Sequence, residues 1–187
     1  MPSEGSLAPD FELPADGGDS IRLSSLRGKH VVLYFYPKDD TPGCTVEAKQ
    51  FTELHTPLTK AGAVVLGVSR DTVTSHCRFR DKYKLAFALL ADTDRKVHEL
   101  YGAWGEKVMY GKKVEGAKRC TFLIAPDGKI TKVWASVKAD GHAASVLAAL
   151  TGKAAPEPAA KPASPAKSSA KKAGSAKPSG KAATKKR

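Results

Sequence analysis

No stretch of this chain reaches the roughly 18 consecutive apolar residues of a membrane-spanning helix. Its first residues, MPSEGSLAPDFELP, have neither the basic start nor the apolar run of a secretory signal. Cysteine is scarce: Cys44, Cys77 and Cys120 are the only three. An odd, sparse set excludes a disulfide-built scaffold and leaves thiols for chemistry, so a reducing, cytoplasmic setting is expected. Residues 153–187 lack any apolar side chain larger than alanine and hold a single acid, Glu157, against nine lysines and one arginine. That segment carries +9 of the total +12, so the basic character belongs mainly to it. It cannot bury enough surface to offset its ordering entropy, and its five prolines oppose a helix. Residues 153–187 are therefore expected to be a disordered Lys/Ala/Pro/Ser-rich tail, and residues 1–152 one domain.

Within 1–152 the run HVVLYFYP (30–37) reads as a strand buried on both faces. Thr41-Pro42-Gly43 then suits a helix start, with Thr41 as cap and Pro42 at the first helical position. A helix is expected over 45–60, with Val46, Phe51, Leu54 and Leu58 as its apolar stripe. AVVLGVS (63–69) is a second buried strand. Helices are expected from Asp71 or Thr72 to about Tyr83 and from Thr93 to Tyr101. CTFLIAP and KITKVWAS flank Asp127-Gly128 as a hairpin, and HAASVLAAL (142–150) closes the domain as an amphipathic helix. Parallel and antiparallel connections together predict an α/β, thioredoxin-like, three-layer domain with a central mixed sheet flanked by helices.

Cys44 falls at the junction between the first buried strand and its helix. A thiol attacks as thiolate, and the first turn of a helix offers unpaired N–H groups and the positive end of the macrodipole. Thr41 can place a hydroxyl near the sulfur, and Pro37 can shield it. A packed, inert cysteine is the alternative on position alone. His76 beside Cys77, with His55 and His98, matches no zinc spacing, so these are read as surface histidines rather than a metal site.

Pro37-x-x-x-Thr41-x-x-Cys44 resembles the active-site signature of peroxiredoxins, and YPKDDTPGCTVEA resembles the bacterioferritin-comigratory, or peroxiredoxin Q, branch. The likeness runs from Leu7-Ala8-Pro9-Asp10-Phe11 through SRDTVTSH, LLADTDRKVHELYGAWGEK and RCTFLIAPDGKI to Leu150, leaving out the tail. The resemblance implies a thiol peroxidase for hydrogen peroxide and organic hydroperoxides, with no metal or organic cofactor. Cys44 would be the peroxidatic cysteine, oxidised to sulfenic acid. Thr41 and Arg119 would bind the peroxide oxygens, Glu47 would orient Arg119, and Pro37 would shield the thiolate.

Many members of the branch carry a resolving cysteine five residues after the first, where this chain has Lys49. Cys77 is the expected substitute; members that place the resolver on the same helix carry it about one turn further, near Arg80. Cys120 as resolver and a one-cysteine mechanism remain open. A thioredoxin-type reductant and a monomer are what the branch implies. The tail's ten positive charges suit nonspecific contact with nucleic-acid phosphates, or serve only as a solubilising extension.

Overall fold

The chain opens with two short strands, β1 (Glu12–Pro14) and β2 (Ser20–Arg22), paired antiparallel and followed by a 3-10 turn over Leu23–Leu26. Next come β3 (His30–Phe35), α1 (Pro42–Glu53), α2 (His55–Lys60), β4 (Ala63–Ser69), α3 (Val73–Tyr83) and β5 (Ala88–Ala91). The remainder is α4 (Lys96–Leu100), a hairpin of β6 (Trp104–Met109) and β7 (Lys112–Ala117), then β8 (Cys120–Ile124), β9 (Ile130–Trp134) and α5 (His142–Thr151). This computed structural model describes residues 1–109 and 112–152, so the expected tail lies outside the described residues.

Five strands form the central sheet in the order β5-β4-β3-β8-β9. β3, β4 and β5 run parallel, while β8 joins β3 and β9 joins β8 antiparallel. The mixed sheet and the hairpin across Asp127-Gly128 are as expected from the sequence. Alternation along β3 divides the core in two. Val31, Leu33 and Phe35 face a layer built from the N-terminal strands, Val97 of α4, Tyr101 and Phe122. Val32, Tyr34 and Tyr36 face the helices, through Cys44, Ala48, Phe51, Leu58, Phe79, Ala143 and Val146. Phe51 is fully buried and stacks on Tyr34 with centroids 4.9 Å apart. Burial of such a ring contributes about 2–3 kcal/mol and presses α1 onto the sheet.

Three local expectations are corrected. The helix expected over 45–60 breaks at Leu54, because Pro57 has no N–H to donate to the carbonyl of Glu53 and its ring clashes there. The phase of α1 also differs. Val46 is 41% exposed, and the buried face is Cys44, Glu47, Ala48 and Phe51. That set follows the helical i, i+3, i+4, i+7 rule, with an acid occupying one apolar position. The helix expected from Thr93 starts at Lys96. Its first N–H groups are received by Asp92, which accepts from Val97 at 3.3 Å and from His98 at 2.7 Å.

Candidate active site

The turn that carries Cys44 follows from how β3 ends. Tyr36 donates its N–H to Val68 at 3.1 Å, extending the pairing by one residue before half-buried Pro37 ends it. Thr41 takes the cap position of α1 in an extended conformation (φ −90°, ψ 151°), with Pro42 first in the helix. The helical ladder opens with Thr45 N–H donated to the Thr41 carbonyl at 2.9 Å. Gly43 and Cys44 therefore present N–H groups that the ladder does not use. The Thr41 side chain makes no cap bond; its hydroxyl donates to the Lys38 carbonyl at 3.1 Å. With the proton so engaged, the oxygen keeps its lone pairs for use as an acceptor.

Cys44 is 2% exposed, and its sulfur accepts from Arg119 Nη2 at 3.1 Å. The other arm of the same guanidinium, Nη1, is bonded to Glu47 Oε2. Cys44 and Glu47, three apart on α1, share one face, and Arg119 reaches them from just before β8. Gly43 lies beside this guanidinium: a Cβ there would stand in van der Waals contact with Arg119 Nη2 at 3.4 Å. Behind the site, Gln50 donates to Asp140 at 2.7 Å and accepts from Gly141 N–H at 2.9 Å, tying α1 to the start of α5.

Electrostatically the site is a buried thiol and a buried acid beside a half-buried guanidinium. Burial pushes the Glu47 carboxyl up to about 7, and the Arg119 charge offsets this only in part. Burial prevails because Glu47 Oε1 has no hydrogen-bond partner among the described residues. Burial also acts against the Arg119 cation, but Glu47 and the Cys44 sulfur outweigh it and raise Arg119 overall. Nearby, burial and then the Arg119 charge lower His142 to about 4, and its Nε2 lies 2.8 Å from Thr121 Oγ1. The arrangement can hold negative charge on sulfur and meet a second, developing charge with the same fork.

Of the residues expected at the site, Cys44, Glu47 and Arg119 are in direct contact, and Thr41 and Pro37 lie on the segment leading into Cys44. Cys77 is elsewhere: on α3, half-buried, its thiol donates to the Asp16 carbonyl at 3.2 Å. Asp16 in turn is tied to the β5 edge through its N–H to Leu89. Cys120 packs in the core on the opposite face of the sheet from Cys44, and burial raises its thiol to about 12. The histidines read as surface residues are a correction: His76 and His98 are fully buried. Each pairs with an acid, His76 with Asp39 at 2.9 Å and His98 with Asp92 at 2.6 Å. Among the described residues no group of three or more His, Cys, Asp or Glu is placed to hold a metal ion. No helix there is long and apolar enough to cross a membrane. Asp39 was not singled out from sequence; its signal was an acid just after a strand-ending proline.

The AhpC/TSA family profile matches residues 5–133. A putative peroxiredoxin Bcp of Coxiella burnetii is 52% identical over 146 residues, covering 78% of this chain and 97% of that one. Peroxiredoxin Bcp of Bacillus subtilis is 44% identical over the same length, with 78% and 93% covered. Among solved structures, the bacterioferritin comigratory protein of Xanthomonas campestris, described for its alkyl peroxide reduction activity, superposes with a TM-score of 0.72. It shares 45% identity over 76% of this chain and 90% of its own. A cysteine-to-serine mutant of PrxQ from Xylella fastidiosa gives a TM-score of 0.76 at 38% identity, over 80% and 96%. With a thioredoxin-like fold of this detail and relatives this near, the chain belongs to the AhpC/TSA family, as a peroxiredoxin of the Bcp/peroxiredoxin Q kind and hence a peroxidase.

Proposed function

We propose that the chain reduces hydrogen peroxide and organic hydroperoxides at Cys44. The observation that carries this reading is the Arg119 fork, one arm 3.1 Å from the Cys44 sulfur and the other on Glu47. The Cys44 thiolate attacks the terminal oxygen of RO–OH. An S–O bond forms, the O–O bond breaks, and the alkoxide takes a proton from solvent water to leave as alcohol, or as water from hydrogen peroxide. Cys44 becomes sulfenic acid. Negative charge passes from sulfur to the leaving oxygen, and a guanidinium already fixed by Glu47 meets that charge without reorganising. The Thr41 oxygen accepts a hydrogen bond from the hydroperoxide O–H, whose proton stays with the oxygen transferred to sulfur, and Pro37 limits water at the sulfur. No step requires a metal or organic cofactor.

Cys77 is the proposed resolving cysteine. Its thiol displaces water from the sulfenic acid, giving a Cys44–Cys77 disulfide that a thioredoxin-type dithiol reduces. A disulfide needs Cα atoms about 4.4–6.8 Å apart, whereas Cys44 now lies against Arg119 and Cys77 against Asp16. Bond formation is expected to release both contacts, with the first turns of α1 unwinding locally. Peroxide treatment followed by non-reducing peptide mapping is expected to yield a Cys44–Cys77 peptide, absent in Cys77→Ser. Persistent Cys44 sulfenic acid in the unaltered chain would point to reduction by an external thiol instead. A cytoplasmic monomer accords with this chemistry. Residues 153–187 take no part in it; their charge suits nonspecific nucleic-acid contact, which truncation after Gly152 is expected to abolish in a low-salt retardation assay.

A further inference from the structure

The segment between β3 and α1 carries two adjacent acids, and both are turned onto α3. Asp39 is buried, with 6% of its surface exposed. Its carboxylate accepts from Tyr36 Oη at 2.7 Å, from Ser75 Oγ at 2.7 Å and from His76 Nδ1 at 2.9 Å. On the far side of the ring, His76 Nε2 donates to the Leu90 carbonyl of β5 at 3.1 Å. The two ring nitrogens thus face oxygen atoms on opposite sides, the Asp39 carboxylate and the Leu90 carbonyl. The Asp39 N–H donates to Asp71 Oδ2 at 2.8 Å, an oxygen that also receives Ser69 Oγ at 2.7 Å. Asp40 adds an outer contact: its carboxylate accepts from Lys82 Nζ and Tyr83 Oη, each at 2.6 Å. Asp40 sits at φ 56°, a conformation that a non-glycine residue keeps only where its surroundings hold it.

Among the described residues none of these groups makes a hydrogen bond or ion pair with Cys44 or Arg119, so the polar contacts of the peroxide chemistry do not account for them. A buried carboxylate with three donors specifies one arrangement of the elements that supply them. Here those elements are the segment leading into the reactive turn and the helix that carries Cys77. Thr41 depends on that arrangement, because its hydroxyl is placed by the Lys38 carbonyl, next to Asp39. His76 faces the segment while the adjacent Cys77 faces Asp16, so one turn of α3 holds both contacts.

We propose that Asp39–His76, with Asp40–Lys82 outside it, forms a two-point clasp of positioning residues that keeps residues 37–44 in the peroxide-binding arrangement and sets how readily they open once Cys44 is oxidised. The proposal rests on the peroxidase reading above. Its consequence is a trade between two reactions. A closed segment favours the first peroxide, which gives sulfenic acid. It equally favours a second peroxide on the sulfenate, which inserts another oxygen on sulfur, releases alcohol and gives sulfinic acid. An open segment favours the competing thiol, Cys77 or an external one, which forms a disulfide and releases water.

The test uses the full chain with His76→Phe, which removes both ring donors, His76→Asn, which retains a donor toward Asp39, and the surface variant Lys82→Ala. Three quantities are read: the rate of Cys44 sulfenate formation, amide hydrogen exchange along the chain, and the sulfinic acid yield in excess peroxide. In His76→Phe, sulfenate formation is expected to slow about tenfold and exchange over residues 38–48 to rise about tenfold, with β8 and β9 unchanged. Its sulfinic yield should fall severalfold. Lys82→Ala should move all three the same way by about two- to threefold, and should do so even if His76→Phe does not fold. His76→Asn should recover most of the loss. Unaltered exchange over 38–48 in Lys82→Ala, or in a folded His76→Phe, would overturn the clasp. So would a rise spread equally over β8 and β9, the mark of general destabilisation. If the unaltered chain forms no Cys44 sulfenate, the peroxidase reading falls instead, and the exchange comparison still decides the clasp.

Discussion

Cys44→Ser is expected to abolish peroxide consumption, a loss on the order of 10⁴-fold or more in kcat/KM. Serine keeps the size and position of the side chain but replaces a polarisable sulfur with a hydroxyl that stays protonated at neutral pH. A serine nucleophile needs a base within reach, and the nearby imidazoles are committed elsewhere. His76 is held by Asp39 and Leu90, and His142 meets Thr121. Arg119 can stabilise an anion at this position but cannot create one, since it has no acceptor atom. Cys120→Ser is the matched control. Cys120 lies in the core across the sheet, so a buried hydroxyl there should cost about 1–3 kcal/mol of stability and leave peroxide turnover near its normal rate. Stopped-flow peroxide consumption under identical conditions compares them. Measurable turnover in Cys44→Ser, or loss of turnover in folded Cys120→Ser, would place the reactive thiol elsewhere.

How far this site was legible in sequence depends on where its parts lie. Pro37, Thr41, Cys44 and Glu47 fall within eleven residues, where spacing alone puts Cys44 and Glu47 on one helix face. Arg119 comes from beyond four further strands, and only the resemblance to a family could single it out; the fold then brings it to the sulfur. The buried strands β3 and β4 were legible as continuous apolar runs, and β8 and β9 as the two arms of the Asp127-Gly128 hairpin. The phase of α1 was not, because the buried face contains Glu47, and an apolarity rule passes over an acid in favour of Val46. The buried histidines were missed for the same reason. His76 and His98 lie inside because Asp39 and Asp92 satisfy them, and those pairings span 37 and 6 residues. Short elements such as β1 and β2 carry too few residues to show a period.

Arg119→Lys keeps the positive charge and should still lower kcat/KM for hydroperoxide about 10²–10³-fold, equal to roughly 3–4 kcal/mol. The reason is geometric. Arg119 bonds Glu47 with one arm and the Cys44 sulfur with the other, and a lysine ammonium is a point charge without that planar fork. Bonded to Glu47, it sits short of the sulfur; moved to the sulfur, it leaves a buried carboxylate alone. The Glu47 carboxyl therefore provides a second, independent readout. Its folded value of about 7 exceeds the unfolded value of about 4.3. Between those pH values the folded state holds a proton that the unfolded state lacks. The stability associated with this group is thus complete below about pH 4.3 and lost as pH rises through about 7, on the order of 3 kcal/mol in all. Urea unfolding between about pH 5 and 8 should show this loss in the unaltered chain and not in Glu47→Gln. Arg119→Ala should move the loss to higher pH, because only burial then acts on the carboxyl. A lysine variant with turnover within twofold of the arginine enzyme would remove the fork from the mechanism. Parallel stability profiles for the unaltered chain and Glu47→Gln would show that Glu47 ionises as it does in the unfolded chain, and that burial does not set its charge.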